Sequence, residues 1–310
     1  MNNILVTGGA GFIGSNLTLK LQELHPDARI VVVDDFRSGD FKNLQGFRGD
    51  VVGADVSRLD WHKQFGERTF DAIFHEASIT DTTVHDQLLQ VHDNVEGFRK
   101  LLEFAASHHS PIVYASSAAT YGVGGGAMRE DQPPAPANVY AFSKVQLDNL
   151  ARLYARKNPA WKIVGVRYFN VYGSREPHKK AAASMIYQLY LQMKAGKRPR
   201  VFKFGEQKRD FIYVKDVVKM TIAALNAPKS GVYNCGSGVP FSFNEVIAEI
   251  NKALGSKLEP DYFENPYSFY QPHTEADLAA AKNDLKYVPD FPPAKGIADY
   301  VDTLEGRQKS

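Results

Sequence analysis

One cysteine, Cys235, is the only thiol in the 310-residue chain, so an internal disulfide and a cysteine-rich zinc site are both excluded. Its expected role is a small buried residue after a strand. No apolar run approaches the roughly 20 residues that a membrane-crossing helix needs. The N-terminus, Met1-Asn2-Asn3 followed at once by Ile4-Leu5-Val6, lacks the basic region and cleavage site of a secretory peptide, which makes the cytoplasm the expected compartment. Net charge is nearly lacking too: 37 Lys and Arg against 35 Asp and Glu leave +2, which argues against a general nucleic-acid binder. His62, His75, His85, His92, His108, His109 and His273 show no metal-ligand spacing with carboxylates or with the cysteine, so no metal is expected. Internal repeats and low-complexity tracts are also missing.

The length suffices for one large domain and a smaller one, with a core that needs no staple. Ile4 to Thr7, Ile30 to Val33, Ala72 to Phe74, Ile112 to Tyr114 and Ile163 to Arg167 read as strands separated by amphipathic stretches. Strands alternating with helices predict an α/β fold with a Rossmann-type, doubly wound parallel sheet covered on both faces. Gly122 to Pro136 reads as a loop and Asn138 to Ala155 as the helix after it. Past about residue 170 the alternation becomes irregular, with strand-like Val201 to Phe204 and Phe211 to Val214 and helix-like Ala182 to Lys194 and Phe243 to Leu254. The expected organisation is a dinucleotide-binding domain over 1–170, with returns near 210–235 and 280–305. A smaller, interleaved substrate domain occupies most of 171–310.

Charge is uneven along this second part. From Arg175 to Arg209 there are ten basic and two acidic residues, a stretch of +8, so the rest of the chain carries −6. A local positive field in a near-neutral chain suits an anionic small molecule such as a diphosphate.

Glycines 8, 11 and 14 stand between the first strand and a helix in Thr7-Gly8-Gly9-Ala10-Gly11-Phe12-Ile13-Gly14. Such spacing serves a dinucleotide: Gly8 for the tight turn, Gly11 for close approach of the pyrophosphate to the helix N-terminus, and Gly14 for packing of helix on strand. The second strand ends in Asp34-Asp35, about 20 residues on, where a carboxylate meets the adenosine ribose. Asp34 accepting from a free 2′-hydroxyl would favour NAD, whereas Arg37 could pair with the 2′-phosphate of NADP. Asp55 stands where it could touch the adenine or simply cap its own loop.

A second constellation follows the fourth of these strands. Ser116-Ser117 closes it, and Tyr140 and Lys144 lie four apart on the next helix. That spacing puts an ammonium beside a phenol, which would lower the phenol's pKa and make it a usable base, with Ser117 hydrogen-bonding the substrate oxygen.

Together the glycine turn, the serine-rich strand end and Tyr140-x-x-x-Lys144 resemble the extended short-chain dehydrogenases/reductases that act on nucleotide sugars. Phe74-His75-Glu76-Ala77-Ser78, Arg167 to Gly173 and Arg209 to Val217 extend the likeness over nearly the whole chain. Within that group the chain is most similar to the ADP-L-glycero-D-manno-heptose 6-epimerases of lipopolysaccharide core precursor synthesis, through Tyr114 to Gly122, Asn170 to Lys179, and Phe269 to Thr274. The resemblance implies transient hydride transfer to bound NADP, with NAD also possible, and a ketone intermediate. Tyr140 and Lys179 would be the two bases, one on each face of the reacting carbon. The Lys179 pKa would be lowered by burial and by neighbouring cations such as Arg175 and Lys180. A phosphate clamp is the competing role for this lysine.

The same resemblance gives Phe12, Ile13, Glu76, Ala77, Ser78 and Val171 to the cofactor, with Glu76 to Thr80 beside its adenosine-linked half. It gives Asn170 and Arg209 to the substrate's phosphates, Phe202 to Gly205 to the ADP pocket, and Tyr270 to the diphosphate or heptose. The expected partners are an ADP-heptose substrate and further copies of the chain, with no nucleic acid and no membrane. Three rival readings remain. A sugar 4,6-dehydratase needs an acid/base pair where this chain has Ala118-Ala119. A UDP-hexose 4-epimerase lacks the block ending in Lys179. An NAD(P)-sensing regulator has no need of Ser117, Tyr140 and Lys144 together.

Overall fold

The computed structural model describes residues 1–80, 86–202, 204–264 and 272–307. Five apolar runs and two less obvious segments build one parallel sheet: β1 (Asn3–Thr7), β2 (Arg29–Asp34), β3 (Asp50–Gly53), β4 (Ala72–His75), β5 (Ile112–Ser117), β6 (Ile163–Tyr168) and, after β7 (Asn170–Tyr172), β8 (Arg200–Phe202) and β9 (Lys208–Tyr213), β10 (Gly231–Cys235). Their spatial order is β10-β6-β5-β4-β1-β2-β3. The chain therefore leaves β1 in one direction for β2 and β3 and in the other for β4 and β5. That places the topological switch between β1 and β4, the position where such sheets bind ligands outside the strand ends. β3 escaped the sequence reading because it is a short, largely exposed edge strand without an apolar run.

The helices cover both faces. On one, α1 (Phe12–Leu24) packs with α6 (Val214–Ala223) through Leu17, Leu21, Val217 and Met220. On the other, α2 (Trp61–Phe65), α3 (Gln87–Ala106) and α4 (Val139–Lys157) bury Trp61, Phe98, Leu101 and Leu147. The strands between are apolar on both sides, as a doubly covered sheet requires. A third core joins α5 (Met185–Lys194), α7 (Phe243–Leu254) and α9 (Pro293–Leu304), through Ile186, Leu189, Val246, Ile297 and Tyr300.

Two small sheets flank this third core: β11 (Pro240–Ser242) with β9 and β7, and β12 (Asp261–Phe263) with β8. The late returns differ in kind. β10 extends the large sheet and α8 (Ala279–Leu285) packs on it, whereas α9 packs on α7 and β9. The helix read from Ala182 begins at Met185. Before it, 177–182 forms a tighter 3₁₀ path with Lys180 at φ 52°, and Ser184 caps the helix by accepting from Tyr187 N.

Candidate active site

The turn after β1 is shaped by atoms that would collide with any side chain. Gly8 has φ 70°, and a Cβ there would lie 2.5 Å from Ala77 N. At Gly14 a Cβ would come within 2.1 Å of Gly8 O, so this glycine lets the helix close against the turn itself, and not onto the strand as the spacing suggested. Gly11 is the N-cap of α1 and offers no side chain to the helix's first amides. The N–H groups of Phe12 and Ile13 thus head an uncapped helix N-terminus beside a cradle that a Cβ would fill, and the geometry fits a dinucleotide pyrophosphate.

At the end of β2, Asp34 is buried and engaged twice: Oδ2 accepts from Ala10 N at 2.8 Å and Oδ1 from Phe36 N at 2.8 Å. It braces the glycine turn against the loop after β2, and burial holds its carboxyl above the ordinary carboxylate range despite those bonds. Asp35 accepts from Arg37 Nε, whose guanidinium also meets Asp93 at 2.6 Å and Asp55 at 3.4 Å. Asp55 does cap its own loop, its Oδ1 taking both Ser57 N and Ser57 Oγ at 2.8 Å.

The three residues expected to be catalytic, Ser117, Tyr140 and Lys144, meet where the C-terminal end of β5 faces the first two turns of α4. Asn138 starts α4 by accepting from Ala141 N at 2.8 Å, which sets Tyr140 in the opening turn and Lys144 one turn deeper. Lys144 is 1% exposed, and its Nζ donates to Ala115 O at 2.8 Å, 5.7 Å from the Tyr140 ring centre. Burial pulls this ammonium down to about 8, with Glu76 and Asp148 working the other way. Tyr140 departs from expectation. Its phenol lies above the usual value, because burial outweighs the hydrogen bond with Ser117 and the Glu76 carboxylate adds to the rise. Behind the trio, the buried pair Arg167–Asp148 at 2.9 Å, with Tyr114 OH donating to Asp148 at 3.0 Å, ties α4 to β5 and β6.

The Glu76 backbone lies against the Gly8 turn, while its side chain points the other way along the strand ends. Its carboxylate reaches across to β6, accepting from Tyr168 OH at 2.9 Å, and burial lifts its pKa to about 7 against the effects of Tyr168 and Lys144. Ala77 N lies at the Gly8 turn, donating to Thr7 Oγ1 at 3.4 Å, and the buried Ser78 hydroxyl has no hydrogen-bond partner among the described residues. Asn94 was not foreseen. Buried on α3, it holds the backbone of Ile79 through N–H and C=O at 2.7 and 3.1 Å and donates to Ser143 Oγ at 3.0 Å, fastening this strand-end loop to α4. An amide on the apolar face of α3 was the signal available.

The segment carrying Lys179 is closed by Glu176, which is fully buried. Its carboxylate accepts from Gly173 N at 3.0 Å, Ser184 N at 2.6 Å and Ser184 Oγ at 2.9 Å, joining both ends of the loop. Asn16 and Asn43 hold the same loop to the glycine turn, the former donating to Ser174 O at 2.8 Å and the latter meeting His178 at 3.1 Å. Lys179 is half-buried, its ammonium 5.7 Å from the Phe12 ring centre. Burial lowers its pKa while Glu176 opposes, so the expected contribution of Arg175 and Lys180 is not what sets it.

On the substrate side, Asn170 donates to Asp210 O at 3.2 Å and Thr274 Oγ1 at 3.3 Å. Val171 pairs with Ile212 in the small sheet and is half-buried. Arg209 is half-buried, its NH1 donating to Lys208 O at 2.9 Å. The next residue, Asp210, is fully buried and accepts from Ser237 N, Ser237 Oγ, Gly238 N and Ala276 N at 2.6–2.9 Å. Sequence reasoning passed over this carboxylate, although it ties two loops, at Ser237–Gly238 and at Ala276, to the small sheet. Phe202 packs edge-on to Phe263, and Gly205, at φ 70°, turns where a Cβ would strike Asn244. Tyr270 lies outside the described residues. Among the described residues there is no group of three or more His, Cys, Asp or Glu arranged to hold a metal ion, and no helix long and apolar enough to cross a membrane.

A glycine cradle at the sheet's switch point with a Ser-Tyr-Lys trio at the neighbouring strand end is the arrangement of a dinucleotide-dependent enzyme of the short-chain dehydrogenase/reductase type. Residues 4–236 match the model of the NAD dependent epimerase/dehydratase family, and the chain belongs to that family. It is 36% identical over 312 residues to the ADP-L-glycero-D-manno-heptose-6-epimerase of Brachyspira hyodysenteriae, covering 97% of this chain and 98% of that one. Among solved structures it is similar to the ADP-L-glycero-D-manno-heptose-6-epimerase of Helicobacter pylori, with TM-score 0.90, 41% identity and coverage of 98% and 96%. It also resembles a Bacillus cereus UDP-glucuronic acid 4-epimerase mutant solved with a fluorinated substrate analogue and NAD, with TM-score 0.86, 28% identity and coverage of 99% and 100%.

Proposed function

We propose that this chain interconverts ADP-D-glycero-D-manno-heptose and ADP-L-glycero-D-manno-heptose, a step in supplying lipopolysaccharide core precursors. The family cofactor is NAD(P), and the resemblance to the heptose epimerases points to NADP. When bound, it supplies a hydride acceptor that returns the hydride in the same turnover. The protein's own residues handle the protons. Ser117 orients the substrate oxygen, Tyr140 takes the hydroxyl proton in its phenolate form, becoming the phenol, and the Lys144 ammonium beneath it offsets the phenolate's charge. Loss of hydride leaves a ketone outside the sugar ring, and rotation about the adjoining carbon–carbon bond offers its opposite face. The oxygen then needs a proton from a second group, which is Lys179.

The observation carrying this reading is the Lys179 loop. A half-buried ammonium with a lowered pKa is tied by Asn16, Asn43 and Glu176 to the turn that takes the cofactor. Asn170 and Arg209 would meet the diphosphate, Phe202 and Gly205 the ADP, and Tyr270 the substrate's diphosphate or sugar. Ala118 and Ala119 leave no acid/base pair for elimination. We place the enzyme in the cytoplasm as a homo-oligomer. The test is incubation with ADP-D-glycero-D-manno-heptose followed by NMR: epimer formation supports the reading, and its absence alongside turnover of UDP-glucose would sink it in favour of a 4-epimerase. Lys179→Met should slow epimerisation by at least about 100-fold with the dinucleotide still bound. Near-normal turnover would make Lys179 a phosphate clamp.

A further inference from the structure

The loop after β2 decides which dinucleotide can enter, because the ribose 2′-position of a cofactor on this turn falls beside the carboxylates at that strand's end. Arg37 is the cation there that a 2′-phosphate would seek, and it is already surrounded. Its guanidinium takes Asp35 through Nε, Asp93 at 2.6 Å through NH1 and Asp55 at 3.4 Å through NH2. These bonds are braced in turn. Asp93, 4% exposed, also accepts from Ser57 Oγ at 3.3 Å and meets His92 at 3.0 Å, while Asp55 holds Ser57 and lies 3.5 Å from Arg58. Three carboxylates thus surround the one Arg37 guanidinium, and the other cations nearby, Arg58 at Asp55 and Lys100 with its Nζ 2.6 Å from Ser57 O, stand on the outer side of the cage.

We infer that this site takes NAD in preference to NADP. The inference rests on the dinucleotide reading of the glycine turn and runs against the NADP expectation drawn from resemblance. A 2′-phosphate would bring a dianion up against the three carboxylates that hold Arg37. To pair with Arg37 it would have to compete with Asp35, Asp55 and the buried Asp93 for one guanidinium, and any displacement of Asp93 would leave a buried carboxylate without its ion-pair partner. A 2′-hydroxyl asks for none of this. It donates to a carboxylate and leaves the cage intact, with Asp35, partly exposed and at the strand end, as the available acceptor.

The choice is read by binding and not by turnover. Dinucleotide released from the purified protein is identified by mass spectrometry, and the dissociation constants of NAD and NADP for the stripped protein are measured by calorimetry. NAD is expected in the released fraction, and its dissociation constant should be lower than that of NADP by at least about tenfold. Asp35→Asn and Asp55→Asn, each checked for native circular dichroism, should narrow that ratio by relaxing the cage. If Asp55→Asn fails to fold, the exposed-side Asp35→Asn carries the comparison. Release of NADP, or tighter NADP binding by the wild type, overturns the inference, as does an unchanged ratio in a folded Asp35→Asn. Binding of neither dinucleotide would overturn the cofactor reading beneath it as well, which separates the two failures.

Discussion

Replacing Lys144 by methionine is expected to stabilise the protein while removing its activity. The ammonium is 1% exposed and held at about 8, down from 10.5, chiefly by burial. A fall of that size means that, below pH 8, keeping the side chain charged costs the folded state about 3 kcal/mol relative to the unfolded chain. Methionine retains most of the apolar stem and removes this cost. It also gives up the hydrogen bond to Ala115 O, about 1 kcal/mol, so a net gain of about 2 kcal/mol is expected at pH 7. The sign with pH follows from proton binding. Between about 8 and 10.5 the unfolded lysine binds a proton that the folded one has lost, so the wild type gains on the variant as pH rises through that window, and the gap closes above it.

Urea unfolding of both proteins at pH 7, 8, 9 and 10 measures the difference directly, since shared titrations of tyrosines cancel. Turnover should fall at least about 100-fold, because the site loses the charge that accompanies Tyr140. A variant less stable than the wild type at pH 7, or a difference that does not move between pH 8 and 10, would refute the account of Lys144 as a strained buried charge.

Tyr140→Phe should lose turnover by about 1,000-fold while still binding dinucleotide, checked by single-turnover assay and calorimetry. Gly14→Ala should prevent dinucleotide binding, because its Cβ would lie 2.1 Å from Gly8 O and must push the turn or the helix out of place; calorimetry reads this without a substrate. Glu176→Gln removes one of the acceptors that close the Lys179 loop, and the expected result is a fall in kcat with little change in KM for the nucleotide sugar. Asp210→Ala leaves four donors without their acceptor and should destabilise the fold by about 3 kcal/mol, measured by urea midpoint.

Much of the sheet was legible because parallel strands buried on both faces must be continuously apolar, and β1, β2, β4, β5 and β6 are. β3 was not, since an exposed edge strand needs no such run. The glycines and the Tyr140–Lys144 pair were legible for a similar reason: their chemistry depends on local spacing within one turn or one helix. Glu76, Asn94, Glu176 and Asp210 were not picked out for the roles they play. Glu76, Asn94 and Asp210 work by joining segments far apart in the chain, such as Glu76 with Tyr168 across 92 residues or Asp210 with Ala276 across 66, and Glu176 works by being buried as the acceptor that closes its own loop.

The class of fold, the place of the glycine turn and the pairing of Tyr140 with Lys144 on one helix could be read from the chain alone, because periodicity and short-range spacing are local properties. Tertiary structure decided how those groups are charged and what they can still bind. Burial, not a neighbouring cation, sets Lys144 and Lys179, and Tyr140 is raised where spacing alone suggested lowering. Arg37, read along the chain as a phosphate ligand in waiting, is enclosed by Asp55 and Asp93. Desolvation and partner choice depend on everything that surrounds a group, and only the folded chain assembles those surroundings.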